Sequence, residues 1–90
     1  MTKFECYSLG VSKLQYPILL PPDTKVLDVK YNKEKGLFII VEINDADFLY
    51  EEMCAVYFSI YAVGMNIKEV RGVYVGSVCI LDTVYVVYKE

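Results

Sequence analysis

The sequence predicts an all-β, mostly antiparallel domain: a small sandwich or partly open barrel of six to seven strands. Three observations lead there. Apolar residues alternate with polar ones or run as short β-branched and aromatic stretches, and helical spacing is weak throughout. Turn-forming residues, among them Pro21, Pro22, Gly36, Gly64 and Asn66, punctuate the chain. The connections they leave are mostly short, and ninety residues without an internal repeat make one domain, 1–90.

Residues 3–9 alternate and form the first strand, followed by a loop over 10–15. Residues 16–20 are a short extended piece ended by Pro21-Pro22. Proline cannot donate to a ladder, so this piece lies at an edge or leads into a turn. Residues 25–31 form a clearer strand, with Leu27, Val29 and Tyr31 toward one face and Asp28 and Lys30 toward the other. The polar stretch 32–36 is a hairpin loop in which Gly36 supplies a positive φ. The return strand, 37–43, is apolar on both faces, as in a covered central strand.

Residues 44–52 admit two readings. Asp45 caps one short helix over 46–53, with Phe48, Leu49 and Met53 near one face, or the segment is a long acidic hairpin loop. A long strand follows over 54–63. Val56, Phe58 and Ile60 lie on one side, Tyr57, Ser59 and Tyr61 on the other, and Gly64 and Asn66 break it. In the next strand, 72–81, Gly72 and Gly76 leave room for a bend or bulge. Asp82-Thr83 makes a tight turn, and 84–88 is the final strand.

The composition is 56% hydrophobic, with nine tyrosines and four phenylalanines. That is more apolar surface than one small core absorbs, so a homo-oligomer is expected. No apolar run approaches the roughly 20 residues of a membrane-spanning helix. The first residues lack a signal-peptide pattern, which points to the cytoplasm and away from membranes. Cys6, Cys54 and Cys79 are an odd, widely spaced set. They read as reduced, buried thiols acting as small hydrophobes in a cytosolic protein.

The chemical inventory is thin. Without histidine, Ser–His and Cys–His pairs, most zinc sites and the usual neutral-pH base are gone. No Cys-x-x-Cys pair and no phosphate-binding glycine loop is present. Gly72-x-x-x-Gly76 has the spacing of a membrane packing motif but lies in a strand-like segment. The acids around Asp45 lack the ligand pattern and central glycine of a calcium loop. No catalytic residue, metal or cofactor is therefore expected, and the chain does not read as an enzyme.

Charge is segregated. The net charge of −3 argues against direct DNA or RNA binding. Residues 36–67 hold five acids and no lysine or arginine. Asp45, Asp47, Glu51 and Glu52, with the aromatics Phe48 and Tyr50, form a candidate partner-binding surface suited to a basic protein; the plain alternative is a solvated loop. Lys68 and Arg71, beside the Gly64–Asn66 break and with Tyr61 and Asn66 nearby, are a candidate phosphate or small-nucleotide site. The tyrosines at 57, 61, 74, 85 and 88 read as cross-strand packing pairs.

Four segments carry a resemblance. Leu-Pro-Pro-Asp-Thr-Lys-Val-Leu-Asp-Val over 20–29, Phe-Ser-Ile-Tyr-Ala-Val-Gly over 58–64, Tyr-Val-Gly-Ser-Val over 74–78 and Val-Tyr-Val-Val-Tyr-Lys-Glu over 84–90 together resemble a family of small uncharacterised bacteriophage proteins. The likeness runs over most of the chain. The family's Gly-His-Pro segment is replaced by Gly64-Met65-Asn66, and no catalytic residue carries over. The resemblance implies a phage origin and expression in the cytoplasm of a bacterial host. The leading expectation is an accessory protein that binds and inhibits a host protein, as an anti-CRISPR-like or other counter-defence protein does. The alternatives are an oligomeric sponge for a nucleotide second messenger and a virion or assembly component.

Overall fold

The structure, a computed structural model, describes residues 2–10, 15–44 and 50–90. Among these residues the chain forms seven strands: β1 (Lys3–Leu9), β2 (Gln15–Leu20), β3 (Thr24–Asn32), β4 (Gly36–Ile43), β5 (Cys54–Ala62), β6 (Val73–Ile80) and β7 (Thr83–Lys89). They build two antiparallel sheets, β1-β4-β3 and β2-β5-β7-β6, which are not closed into a barrel. The all-β expectation holds. The helix expected over 46–53 falls partly on residues 45–49, outside those described; the described part is a single 3-10 turn, Tyr50–Glu52.

Alternation explains the core. Every second residue of β4 — Leu37, Ile39, Val41 and Ile43 — is buried against Phe58 and Ile60 of β5 and Val87 of β7. Leu9, Leu20 and Val29 complete the cluster from β1, β2 and β3, so both sheets share one core. Each such side chain contributes on the order of 1.5–3 kcal/mol by leaving water. On the second face of β4, Phe38 is buried beneath the Lys35 ammonium, 5.5 Å from its ring centre, while Ile40 and Glu42 are half-buried.

Two local predictions are corrected. Leu27 was expected to share a face with Val29, but the β3–β4 register shifts between Val26 and Asp28. The extra residue of this bulge changes the phase of the strand. Val26 and Val29 pack on the core, and Leu27 is exposed. The Val29 amide donates to Asp28 Oδ1 at 2.8 Å, which gives the bulged backbone a partner. The last turn is Leu81-Asp82 rather than Asp82-Thr83. Ile80 pairs with Thr83, and both turn residues have positive φ, the conformation that matches strand twist in a two-residue hairpin. The loop before β4 forms as expected: Gly36 has φ 70°, and the Lys35 amide donates to Asn32 Oδ1.

The smaller and larger sheets meet along β3 and β6. Gly76 sits at a second bulge, between Tyr74 and Gly76 in the β6–β7 register, and lies against Asp28 and Val29. The sheet edges are therefore blunted in different ways. β3 and β6 are bulged and face each other, and β2 carries Pro17. In β1, Lys3 and Glu5 share the phase of the core residue Leu9 and pair at 2.9 Å.

That pair sets a pH dependence. The hydrogen bond from Lys3 holds the Glu5 carboxyl below its usual range, against the opposing effect of burial; the Lys3 charge and the Tyr7 hydroxyl act with it. A depressed carboxylate contributes stability above its unfolded pKa, and that share is lost as pH falls through the folded value. Burial, then the Glu5 charge, raises Tyr7, whose share is lost at the alkaline end as pH rises through its folded pKa. Both side chains of the ion pair are near half-exposed, so screening keeps its energetic share small. Lys3→Ala is expected to raise the Glu5 pKa in an NMR titration; an unchanged Glu5 titration contradicts the pairing.

Candidate functional site: an uncharged tyrosine face

The core residues of β5 and β7 fix what the larger sheet turns outward. With Phe58, Ile60 and Val87 inward, Tyr57, Ser59 and Tyr61 of β5 and Val84, Val86 and Tyr88 of β7 point the other way. The register carries this face onto Pro17 and Leu19 of β2 and onto Tyr74, Ser77 and Cys79 of β6. Among the outward-facing residues described in the four strands, none is charged. Lys89, at the end of β7, is the one charge in the four strands, and it is in phase with Val87. The outer face of the smaller sheet differs: Lys25, Asp28, Lys30 and Glu42 stand there among Phe4, Cys6 and Ile40.

The face is built around a tyrosine row. The Tyr88 ring meets Tyr61 at 6.0 Å and Tyr74 at 5.7 Å between centroids, both edge-to-face. Ser59, directly opposite Tyr88, is buried, as a small residue between larger ones is. The Tyr74 hydroxyl donates to Ser77 Oγ at 3.3 Å. Around this row, Leu19, Tyr57, Tyr74 and Val84 are 49%, 44%, 54% and 41% exposed. Tyr74 also lines a cleft of about 350 Å³ with Val26, Leu27, Val73, Val75, Lys89 and Glu90 at the β3–β6 junction.

The residues singled out in the sequence are distributed as follows. Asp45, Asp47 and Phe48 lie outside the described residues, and of Tyr50 only the backbone is described. Glu51 and Glu52 are exposed in the 3-10 turn before β5, whereas Glu42 stands on the outer face of the smaller sheet beside Lys25. Asn66, Lys68 and Arg71 are exposed in the connection between β5 and β6. Tyr61 belongs to the tyrosine row. Among the described residues, no group of three or more cysteine or acidic side chains is placed to hold a metal ion. No helix among them is long and apolar enough to cross a membrane.

The cysteine expectation is corrected in one respect. All three thiols are free, but Cys6, Cys54 and Cys79 are exposed rather than buried. Strand phase is the reason for two of them. Cys6 is opposite Ile40 on the outer face of the smaller sheet, and Cys79 is opposite Val84 on that of the larger. Cys54 starts β5, with its thiol 3.6 Å from the Glu52 carbonyl.

The tyrosines behave partly as predicted: 61, 74 and 88 pack across strands, and Tyr85 packs against the core. What sequence reasoning missed is that Tyr57, Tyr61, Tyr74 and Tyr88 point outward together, with Tyr57 and Tyr74 exposed and Tyr61 and Tyr88 half-buried. A signal was present, since residues 54–62, 73–80 and 83–88 contain no charge. Fold and site together define an all-β two-sheet domain with a neutral, tyrosine-lined outer face. Comparison with known protein families, with curated proteins and with solved structures finds no match to this chain.

Proposed function

We propose that this chain is a non-enzymatic binding protein that covers a surface of another protein with the outer face of its four-stranded sheet. The observation that carries the reading is the lack of charge among the outward residues described in its four strands, combined with the half-exposed aromatic and aliphatic side chains there. An antiparallel sheet turned to water normally alternates polar residues outward. Exposed apolar areas of this extent mark contact sites, and tyrosine is among the residues that carry binding energy. Taken with the resemblance to small phage proteins, the bound partner is a bacterial host factor and the outcome is its inhibition in the host cytoplasm, as in counter-defence. Sequestration of a nucleotide is less well supported, because the strands described in the tyrosine face turn no lysine or arginine outward to meet a phosphate.

The test uses the host protein that the immobilised chain captures from lysate, identified by mass spectrometry and then titrated. Tyr57→Lys is expected to weaken that binding tenfold or more, because it places a charge in a neutral, desolvated contact. A Glu51→Lys, Glu52→Lys double variant is expected to keep it. Native-strength binding by Tyr57→Lys refutes the assignment of this face.

A further inference from the structure

We propose that residues 63–72, the connection from β5 to β6, form a hinged strap over the middle of the tyrosine face. The strap is closed in the isolated chain and is swung aside by the protein that binds there. The proposal rests on the reading of this face as a contact surface and concerns how that surface is opened.

Topology sets the route. β5 and β6 both run antiparallel to β7, which lies between them, so they are parallel to each other. Parallel strands need a crossover connection. The Val63 amide donates to the Val84 carbonyl, at one end of β7. Val73 stands opposite Lys89, at the other end. The connection therefore travels back along β7 from the level of Val84 to that of Lys89, about 17 Å. The inner face of the sheet is filled by the core shared with β4. The direct path is over the outer face, along Val84, Val86 and Tyr88.

Exposure follows that path. Leu19, Tyr57, Tyr74 and Val84 are exposed, whereas Tyr61, Val86 and Tyr88 in the middle of the face are half-buried and Ser59 is buried. The strap has one residue to match. Every residue from Val63 to Val73 is exposed except Ile67, which is half-buried. Ile67 lies midway along the connection, where the route passes Val86. An isoleucine that leaves water there is a latch between strap and face.

The ends of the strap are fixed and its middle is not. At one end the Met65 amide closes a turn on the Ala62 carbonyl at 3.1 Å, around Gly64 with φ 101° and open surroundings. At the other, Gly72 has φ 89° and packs too closely on the Lys89 carbonyl for any side chain. Among the described residues, Asn66 to Arg71 enter no hydrogen bond or ion pair. The nine peptide steps from Val63 to Gly72 reach about 30 Å when extended, nearly twice the distance they cover. A segment with that slack and so few contacts belongs to the least stable part of a fold. Lys68, Glu69 and Arg71 are exposed on the strap, so lifting it carries these charges away from a face whose own strands turn none outward.

Nuclear magnetic resonance of the full chain tests the closed state. Nuclear Overhauser contacts from the Ile67 methyls to Val86, or to the Tyr61 or Tyr88 ring, are expected in the native protein, and their absence overturns the proposal. Ile67→Ala is expected to increase the broadening of the Tyr61 and Tyr88 rings by a gadolinium chelate about twofold or more, with Phe58 still protected. Rings as protected as in the native chain overturn it. Opening is read on the host factor identified by the capture assay above. Ile67→Ala is expected to bind it about threefold tighter or more, because a larger share of the chain is already open. Binding at native strength or weaker overturns the swing. The two readings fail separately: missing Ile67 contacts strike the strap and leave the contact face, whereas native-strength binding by Tyr57→Lys strikes the contact face and leaves the Ile67 contacts in place.

Discussion

Phe58→Ala is expected to lower the free energy of unfolding by about 3–5 kcal/mol. Phe58 is 0% exposed and belongs to the shared core. It sits on β5 in register with Tyr16 of β2 and Lys89 of β7, in the interior of the larger sheet. Its ring reaches the same cluster as Ile39 and Val41 of the other sheet. Truncation removes the transfer free energy of the ring and leaves a cavity that rigid strands on either side close only in part. A ninety-residue domain buries limited surface, so its total stability belongs near the lower end of about 5–15 kcal/mol. The variant is therefore expected to be partly unfolded at room temperature, with a urea midpoint shifted close to zero. A loss below about 1 kcal/mol contradicts a core shared by both sheets.

Gly76→Val is expected to cost about 3 kcal/mol, through overpacking rather than a cavity. The missing side chain at 76 is what lets β6 lie on β3. A Cβ there would stand 2.9 Å from Val29 Cγ1 and 3.0 Å from Asp28 Oδ1. Val29 is held in the core, and Asp28 Oδ1 accepts the Val29 amide at the bulge. Neither neighbour gives way without disturbing the junction of the two sheets. Gly64 provides the comparison: its surroundings are open, so a side chain there meets only the strain of φ 101°. Urea unfolding of both variants separates crowding from strain. Equal, small losses at the two sites contradict a packed β3–β6 junction.

These two positions also show how far the sequence was legible. β1 was bounded residue for residue, and the other strands were placed close to their observed ends, because alternation and turn residues leave little choice where one face is buried. The inward set Val56, Phe58 and Ile60 was readable for the same reason. Phase within β3 was not: a bulge adds one residue without changing composition, and it exchanged Leu27 for Val26 on the core. The final turn moved by one residue because Leu81 adopts a positive φ that its side chain does not advertise. The cysteines were misplaced by composition statistics, where strand phase decides.

The candidate site was legible in parts only. An apolar surplus and three uncharged segments were in plain view. That Tyr57, Tyr61, Tyr74 and Tyr88 share one outward plane depends on β7 lying between β5 and β6, an order that differs from that of the chain. The acidic cluster looked more prominent in the sequence, since charge runs are read without knowing register. Of that cluster, Glu51 and Glu52 are exposed in the turn before β5, and Asp45 and Asp47 lie outside the described residues.

The central claim is that the tyrosine face of the larger sheet is covered in the working protein by a captured partner. Broadening of aromatic-ring resonances by a water-soluble paramagnetic probe tests it most directly. In the isolated chain, Tyr57 and Tyr74 are about as open to water as Phe4 on the smaller sheet. In the assembled protein, the Tyr57 and Tyr74 rings are expected to be protected while Phe4 is broadened. Broadening of Tyr57 and Tyr74 as strong as that of Phe4 would contradict the account.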